Sequence, residues 1–213
     1  MNLREIKIFK NLTDKDLEII KTKTQFIEKT YGKGEYVFMA GNKSGDLFYL
    51  IDGKINVYQI DSNGKRFIFQ NFDKPTLFGE VYSYLGEPFD FDSECASPCK
   101  ILIIKDFRKI FTKPCPETFL RSYINFLSKK CLALSKKNQI TSQASLRQKI
   151  GKYLLENEKE GKVKLSMKRE DLADYLSTTR PSLSRELSKM AEEGIIKVGG
   201  DFIEILNREG IEF

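Results

Sequence analysis

The sequence predicts an α+β chain: an N-terminal antiparallel β-barrel or jelly roll, a long central helix, and a C-terminal domain of short helices closed by a β-hairpin. Three observations predict it. Between residues 31 and 112, short runs rich in Val, Ile, Phe and Tyr alternate with glycine-bearing turns. Residues 117–137 carry apolar positions at steps of four and three. Residues 168–206 then order two short amphipathic segments, a tight turn, a glycine and a second hairpin.

The first 30 residues set Ile6, Phe9, Leu12, Leu17 and Ile20 among charges, which reads as one or two short helices. Thr13 before Asp14-Lys15-Asp16 is placed as a helix N-cap, since its hydroxyl can accept from an otherwise unpaired backbone N–H. The strand runs are Tyr36-Val37-Phe38, Leu47 to Ile51, Ile55 to Tyr58, Phe67-Ile68-Phe69 and Ile101 to Ile104. Asp52-Gly53 and Asn63-Gly64 stand between such runs, and Gly accepts the positive φ of a tight hairpin without steric cost. Many short strands at this spacing suggest a small antiparallel barrel or jelly roll.

Pro114 and Pro116 close that region, and the central helix follows. Leu120, Ile124, Leu127, Cys131 and Leu134 form a heptad seam suited to pairing with an identical helix. A second stripe, Phe119, Tyr123 and Phe126, suits packing on the barrel. The polar stretch 138–145 reads as a hinge. A helix with Leu146, Ile150, Tyr153 and Leu154 on one face comes next, ending near Glu160-Gly161. The expected domains are a sensor barrel over 1–113, a dimerisation helix over 114–140 and a C-terminal domain over 141–213.

Lys168 to Ile196 is the most informative segment. Leu172, Ala173 and Leu176 give a short helix with one apolar face. Ser177-Thr178-Thr179 is a turn of the length that joins two crossed helices. A second helix buries Leu183, Leu187 and Met190 and shows Thr179, Arg180, Ser182, Ser184, Arg185, Ser188 and Lys189. That pattern is a helix-turn-helix, whose second helix enters a DNA major groove. Pro181 suits the first turn, where backbone N–H groups lack internal partners. Gly199-Gly200 between two apolar runs makes the following hairpin a wing.

Composition bounds the rest. A length of 213 residues favours two domains. No run of 18 apolar residues is present, so no membrane span is expected. No secretory signal is visible at the start, and a cytoplasmic location is expected. The net charge of +6 is unevenly spread, with 13 basic and 13 acidic groups over 141–213. Bulk charge is therefore a weak argument for nucleic acid, and placement of the basic groups must carry it. There is no histidine, and Cys95, Cys99, Cys115 and Cys131 lack metal-site spacing, so no metal site or cofactor is expected. No nucleophile–base pair or phosphate loop suggests an enzyme, and no catalytic residues are assigned.

Residues 168–196 resemble the helix-turn-helix of the Crp/Fnr family of bacterial regulators. That family commonly shows Arg-Glu-Thr-Val/Ile-Ser/Gly-Arg where this chain has Arg180-Pro181-Ser182-Leu183-Ser184-Arg185. The barrel segments Gly34 to Phe38, Gly41, Leu47 to Leu50, Gly53 to Tyr58 and Phe78-Gly79-Glu80 are similar too, and the resemblance covers about residues 10–206. It implies a homodimer on palindromic double-stranded DNA that acts on RNA polymerase and answers to an effector. An alternative is a nucleotide-sensing module without a DNA function, which the Arg/Ser-rich helix and wing disfavour.

The departures narrow the effector. Cyclic-nucleotide-binding members hold the phosphate with an Arg-Ser pair, and the corresponding positions here are Asp90 and Phe91. A carboxylate repels a phosphate, so cAMP is not expected. Oxygen-sensing members carry an N-terminal cysteine cluster, and this chain has no Cys before Cys95. Pro181 cannot accept from cytosine N4 as the usual Glu can, so the half-sites are expected to differ. Ser177 replaces a usual turn Gly. An unidentified small-molecule effector, or a thiol signal through Cys95 or Cys99, remains. Phe78, Gly79, Glu80, Tyr82, Phe89, Phe91 and Tyr123, with Tyr84 nearby, are the candidate pocket residues.

Overall fold

The computed structural model describes residues 2–60, 66–165 and 167–211. The Asn63-Gly64 hairpin signal lies outside them. The chain divides into two compact units, Met1–Leu127 and Ser128–Phe213.

In the first unit, a 3-10 turn at Leu3–Glu5 precedes α1 (Asp14–Lys21). Thr13 caps α1 as expected. Its hydroxyl accepts from Asp16 N at 3.2 Å, and the Asp16 carboxylate accepts from Thr13 N at 3.0 Å. Eight strands follow: β1 (Phe26–Tyr31), β2 (Tyr36–Phe38), β3 (Leu47–Asp52), β4 (Ile55–Ile60), β5 (Arg66–Phe72), β6 (Thr76–Phe78), β7 (Asp92–Cys95) and β8 (Cys99–Ile104). They form two four-stranded antiparallel sheets, ordered β1-β8-β3-β6 and β2-β7-β4-β5. A short helix α2 (Glu80–Leu85), which the sequence pattern does not announce, is inserted before β7. Gly79 begins it at φ +78°.

The unbroken apolar runs of β3 and β8 have a physical cause. Both strands are buried on both faces, where period-two alternation disappears. Leu47, Tyr49, Leu102 and Ile104 enter a core shared with Ile6, Phe9, Ile20, Phe107, Phe119 and Tyr123. Phe48, Leu50, Cys99 and Ile101 enter a second core with Phe38, Ile55, Val57, Phe78 and Phe89. At the β3–β4 turn Gly53 holds φ +105°, and a Cβ there would lie 2.5 Å from the Pro98 carbonyl oxygen. No other residue fits that close approach.

Helix α3 runs Glu117–Thr141. It is longer than its apolar stripe, because Ile140 is buried in the core of the second unit and extends the helix into the expected hinge. Ser145 then caps α4 (Leu146–Asn157), with its hydroxyl accepting from Gln148 N at 3.1 Å. The helix stops before Glu160-Gly161, which instead turn the chain with positive φ into β9 (Lys162–Lys164), a strand missing from the expected elements. Next come α5 (Arg169–Tyr175), α6 (Arg180–Glu192), β10 (Ile196–Val198) and β11 (Phe202–Ile205). The last strands pair antiparallel in the order β10-β11-β9. Leu154, Leu172, Ala173, Leu176, Leu183, Leu187, Met190, Ile196 and Ile203 share one core. Among the described residues no helix is long and apolar enough to cross a membrane.

Candidate nucleic-acid interface and sensor interior

The turn between α5 and α6 is built from local bonds. Thr178 N donates to Ala173 O at 2.9 Å, and Ser177 sits at φ +53°. The left-handed region is unfavourable for a residue with a Cβ. Ser177→Gly is therefore expected to stabilise the chain by about 0.5–1 kcal/mol in urea unfolding. A loss of stability would show that the serine side chain contributes more than its backbone strain removes.

Thr179 caps α6. Its hydroxyl accepts from Ser182 N at 3.4 Å and donates to Ser182 Oγ at 2.9 Å. Two of the seven candidate DNA-contacting side chains thus serve helix initiation. Pro181 lies in the first turn, where its missing N–H costs no internal bond. Leu183, Leu187 and Met190 face the core. Steps of four, three and four then put Pro181, Arg185, Ser188 and Glu192 on one outward stripe, and all four are exposed. Ser184 and Lys189 flank it and are exposed, whereas Ser182 is half-buried.

Three ion pairs that sequence spacing does not reveal lie on or beside this helix. Arg147 on α4 donates to Glu186 at 2.6 Å, and to both carboxylate oxygens of Glu193 at 2.6 and 2.9 Å. The Glu193 carboxyl is held below its ordinary range, first by the hydrogen bond from Arg147. At the other end of α6, Arg180 Nη1 donates to Glu170 Oε1 at 2.6 Å. In the wing, Gly199 N donates to Phe202 O at 2.8 Å, and Lys197 and Val198 are exposed.

On α3 the stripes separate by burial. Phe119 and Tyr123 are buried in the first unit's core, stacked at 6.0 Å, with Phe126 partly buried against it. Leu120 and Leu127 are half-buried against the same core. Ile124 and Leu134 are 62% and 67% exposed, and Cys131 is exposed as well.

The candidate pocket residues fall into two groups. Phe78, Phe89, Phe91 and Tyr82 belong to the core between the sheets. Phe89 is 1% exposed and stacks on Phe38 at 3.8 Å with 12° between ring planes. Gly79 approaches the Phe48 and Phe89 rings. Tyr123 instead joins Phe107, Phe111 and Tyr84. Glu80 is buried at the start of α2. Aromatic character marked these side chains correctly as apolar, and their rings pack on one another. Burial, then a hydrogen bond to Asp90, pushes the Tyr82 hydroxyl up to about 12. Asp90 itself is exposed. A groove of about 490 Å³, lined by Tyr31, Val37, Asn42, Lys43, Ser44 and Asp46 among others, shares only Phe89 with the candidate list.

All four cysteines are free thiols, with Cys95 and Cys99 buried. Burial, then a hydrogen bond with Cys99, pushes the Cys95 thiol up to about 12. A protonated, enclosed thiol is a poor nucleophile.

Comparison with known proteins gives two matching family models. The cyclic nucleotide-binding domain matches residues 28–113, and the Crp-like helix-turn-helix domain matches residues 148–212. The chain is 27% identical to the "Probable transcriptional regulator flp" of Lacticaseibacillus casei, over 97% of this chain and 94% of that protein. It is 25% identical to the "Fumarate and nitrate reduction regulatory protein" of Vibrio cholerae, over 86% of this chain and 77% of that protein. Among solved structures, FixK2 of Bradyrhizobium japonicum superposes with a TM-score of 0.55 at 20% identity, covering 88% of this chain and 96% of that one.

Proposed function

The chain belongs to the Crp/Fnr family of transcriptional regulators, and from that premise we propose that it is a cytoplasmic homodimer that pairs along α3 and reads a palindromic DNA site through α6. The family consists of regulators that bind DNA, not of enzymes. The observation that carries the reading is the outward stripe of α6, which leaves Arg185 exposed while Leu183, Leu187 and Met190 anchor the helix. Arg180 stands exposed at the start of the same helix. A guanidinium in the major groove can donate two parallel hydrogen bonds to guanine O6 and N7. Ser184, Ser188 and Lys189 supply contacts to bases or phosphates beside it.

In this reading residues 1–113 sense a signal, 114–140 dimerise and 141–213 bind DNA. Bound DNA is presented to RNA polymerase. The signal is an unidentified small molecule or a redox change rather than cAMP. The filled interior around Phe89 and the acidic Asp90 support the exclusion of cAMP. Coupling between effector and DNA of this kind typically amounts to ~1–3 kcal/mol.

Arg185→Ala is expected to weaken binding to the specific site by about 1–3 kcal/mol while leaving non-specific binding much less affected. A mobility-shift titration against selected and scrambled DNA measures both. Equal specific affinity for the variant and the wild type would remove Arg185 from base readout.

A further inference from the structure

We propose that Glu170 is a specificity-determining positioning residue, whose carboxylate braces Arg180 for base reading and turns the interface away from indiscriminate phosphate contact. This rests on the reading of α6 as the recognition helix.

Glu170 is the second residue of α5, and Arg180 is the first of α6. The helix-turn-helix crossing brings them together across ten residues of sequence, with Glu170 Oε1 2.6 Å from Arg180 Nη1. Both side chains face solvent, at 56% and 62% exposure. A pair this exposed adds little to fold stability. Leu172, Ala173, Leu176, Leu183 and Leu187 already hold the two helices to one core. The fold therefore does not require the pair.

Its effect on DNA reading follows from guanidinium geometry. The group carries five N–H donors in a rigid plane, and the contact to Glu170 uses one of them. The rest can still present two parallel donors to one guanine. Fixing the plane on one side removes rotamers in which Arg180 would grip a phosphate instead. The carboxylate also repels phosphates directly, so a duplex in the wrong register meets a negative charge beside the arginine. Both effects lower non-specific affinity, and the first strengthens the correct contact.

The alternative is simple competition, in which Glu170 sequesters Arg180 from all DNA alike. The two differ in the ratio of specific to non-specific affinity. The test uses the full chain, a DNA site selected from random sequence by the wild type, and a scrambled duplex of equal length. Wild type, Glu170→Ala, Glu170→Gln, Arg180→Ala and the Glu170→Ala/Arg180→Ala double variant are titrated at one salt concentration. For Glu170→Ala the scrambled duplex is expected to bind more tightly and the selected site more weakly, so that the ratio falls by about tenfold. Glu170→Gln, which keeps an acceptor without the charge, is expected to retain part of the discrimination. Arg180→Ala is expected to lower the ratio, and adding Glu170→Ala to it to lower the ratio by less than the same change does in the wild type, since only the direct repulsion of phosphates is then left to lose.

A Glu170→Ala ratio within about twofold of wild type, with Arg180→Ala still lowering it, overturns the bracing role and leaves the α6 reading intact. A ratio unchanged by Arg180→Ala itself overturns the premise that Arg180 reads a base, and the proposal falls with it.

Discussion

Ile124→Lys combined with Leu134→Lys is expected to leave each protomer folded, to separate the dimer, and to weaken binding to the palindromic site by about 10²-fold or more. Both side chains are mainly exposed in the single chain, so the substitutions remove little packing within it. They lie on the heptad seam with Cys131. In a symmetric pair each lysine would enter the interface near its own copy, burying like charges. The loss on DNA follows because two linked recognition helices bind the second half-site at a high effective concentration, which a monomer forfeits. Leu127 lies on the same seam but is a poorer probe. It is half-buried against the first unit's core, and a lysine there would damage that core as well. Sedimentation velocity reads the oligomeric state, and a mobility shift reads the affinity. A variant that stays dimeric would place the dimer interface elsewhere.

Phe89→Ala is expected to destabilise the sensor unit by about 3–5 kcal/mol, in the range for emptying a ring-sized space in a packed core. Phe89 stacks on Phe38, and its centroid lies 5.3 Å from that of Tyr82 and 6.4 Å from those of Phe48 and Phe91. Four neighbouring rings therefore lose a contact together. The two units are expected to unfold separately, so the relevant quantity is the shift of the sensor transition in a urea titration followed by circular dichroism. An unchanged transition would mean that the interior is already loose. The same packing predicts no calorimetric heat on titrating the wild type with cAMP. Stoichiometric heat would contradict the filled-interior account.

Local signals are legible in the sequence, and contacts between distant segments are not. Thr13 stands before an N-terminal turn, where a hydroxyl has an evident task, whereas Ser145, at the end of the expected polar hinge, does the same for α4. Ser177 stands where the resembled family usually has a turn glycine, and its φ of +53° is a conformation that glycine accepts more readily. Leu183, Leu187 and Met190 mark a buried face by spacing alone. Lys162-Val163-Lys164 gave no such signal, because a three-residue strand with one apolar side chain owes its existence to pairing with β11. Residues 138–141 are polar except for Ile140, and only the core that buries Ile140 makes them helical. The aromatic set around Phe89 was legible as apolar. Whether rings line a cavity or fill one depends on how two sheets close, and one strand's pattern does not carry that. Arg147 with Glu186 and Glu193, and Arg180 with Glu170, are contacts between helices that no charge spacing announces.

The most direct measurement is the pattern of DNA that the full-length protein retains from a random pool, with the footprint of the retained duplexes. The account predicts an inverted repeat whose half-sites lie about one helical turn, ~34 Å, apart and are protected together. Retention of a single unrepeated element, or of DNA without any common sequence, would contradict it.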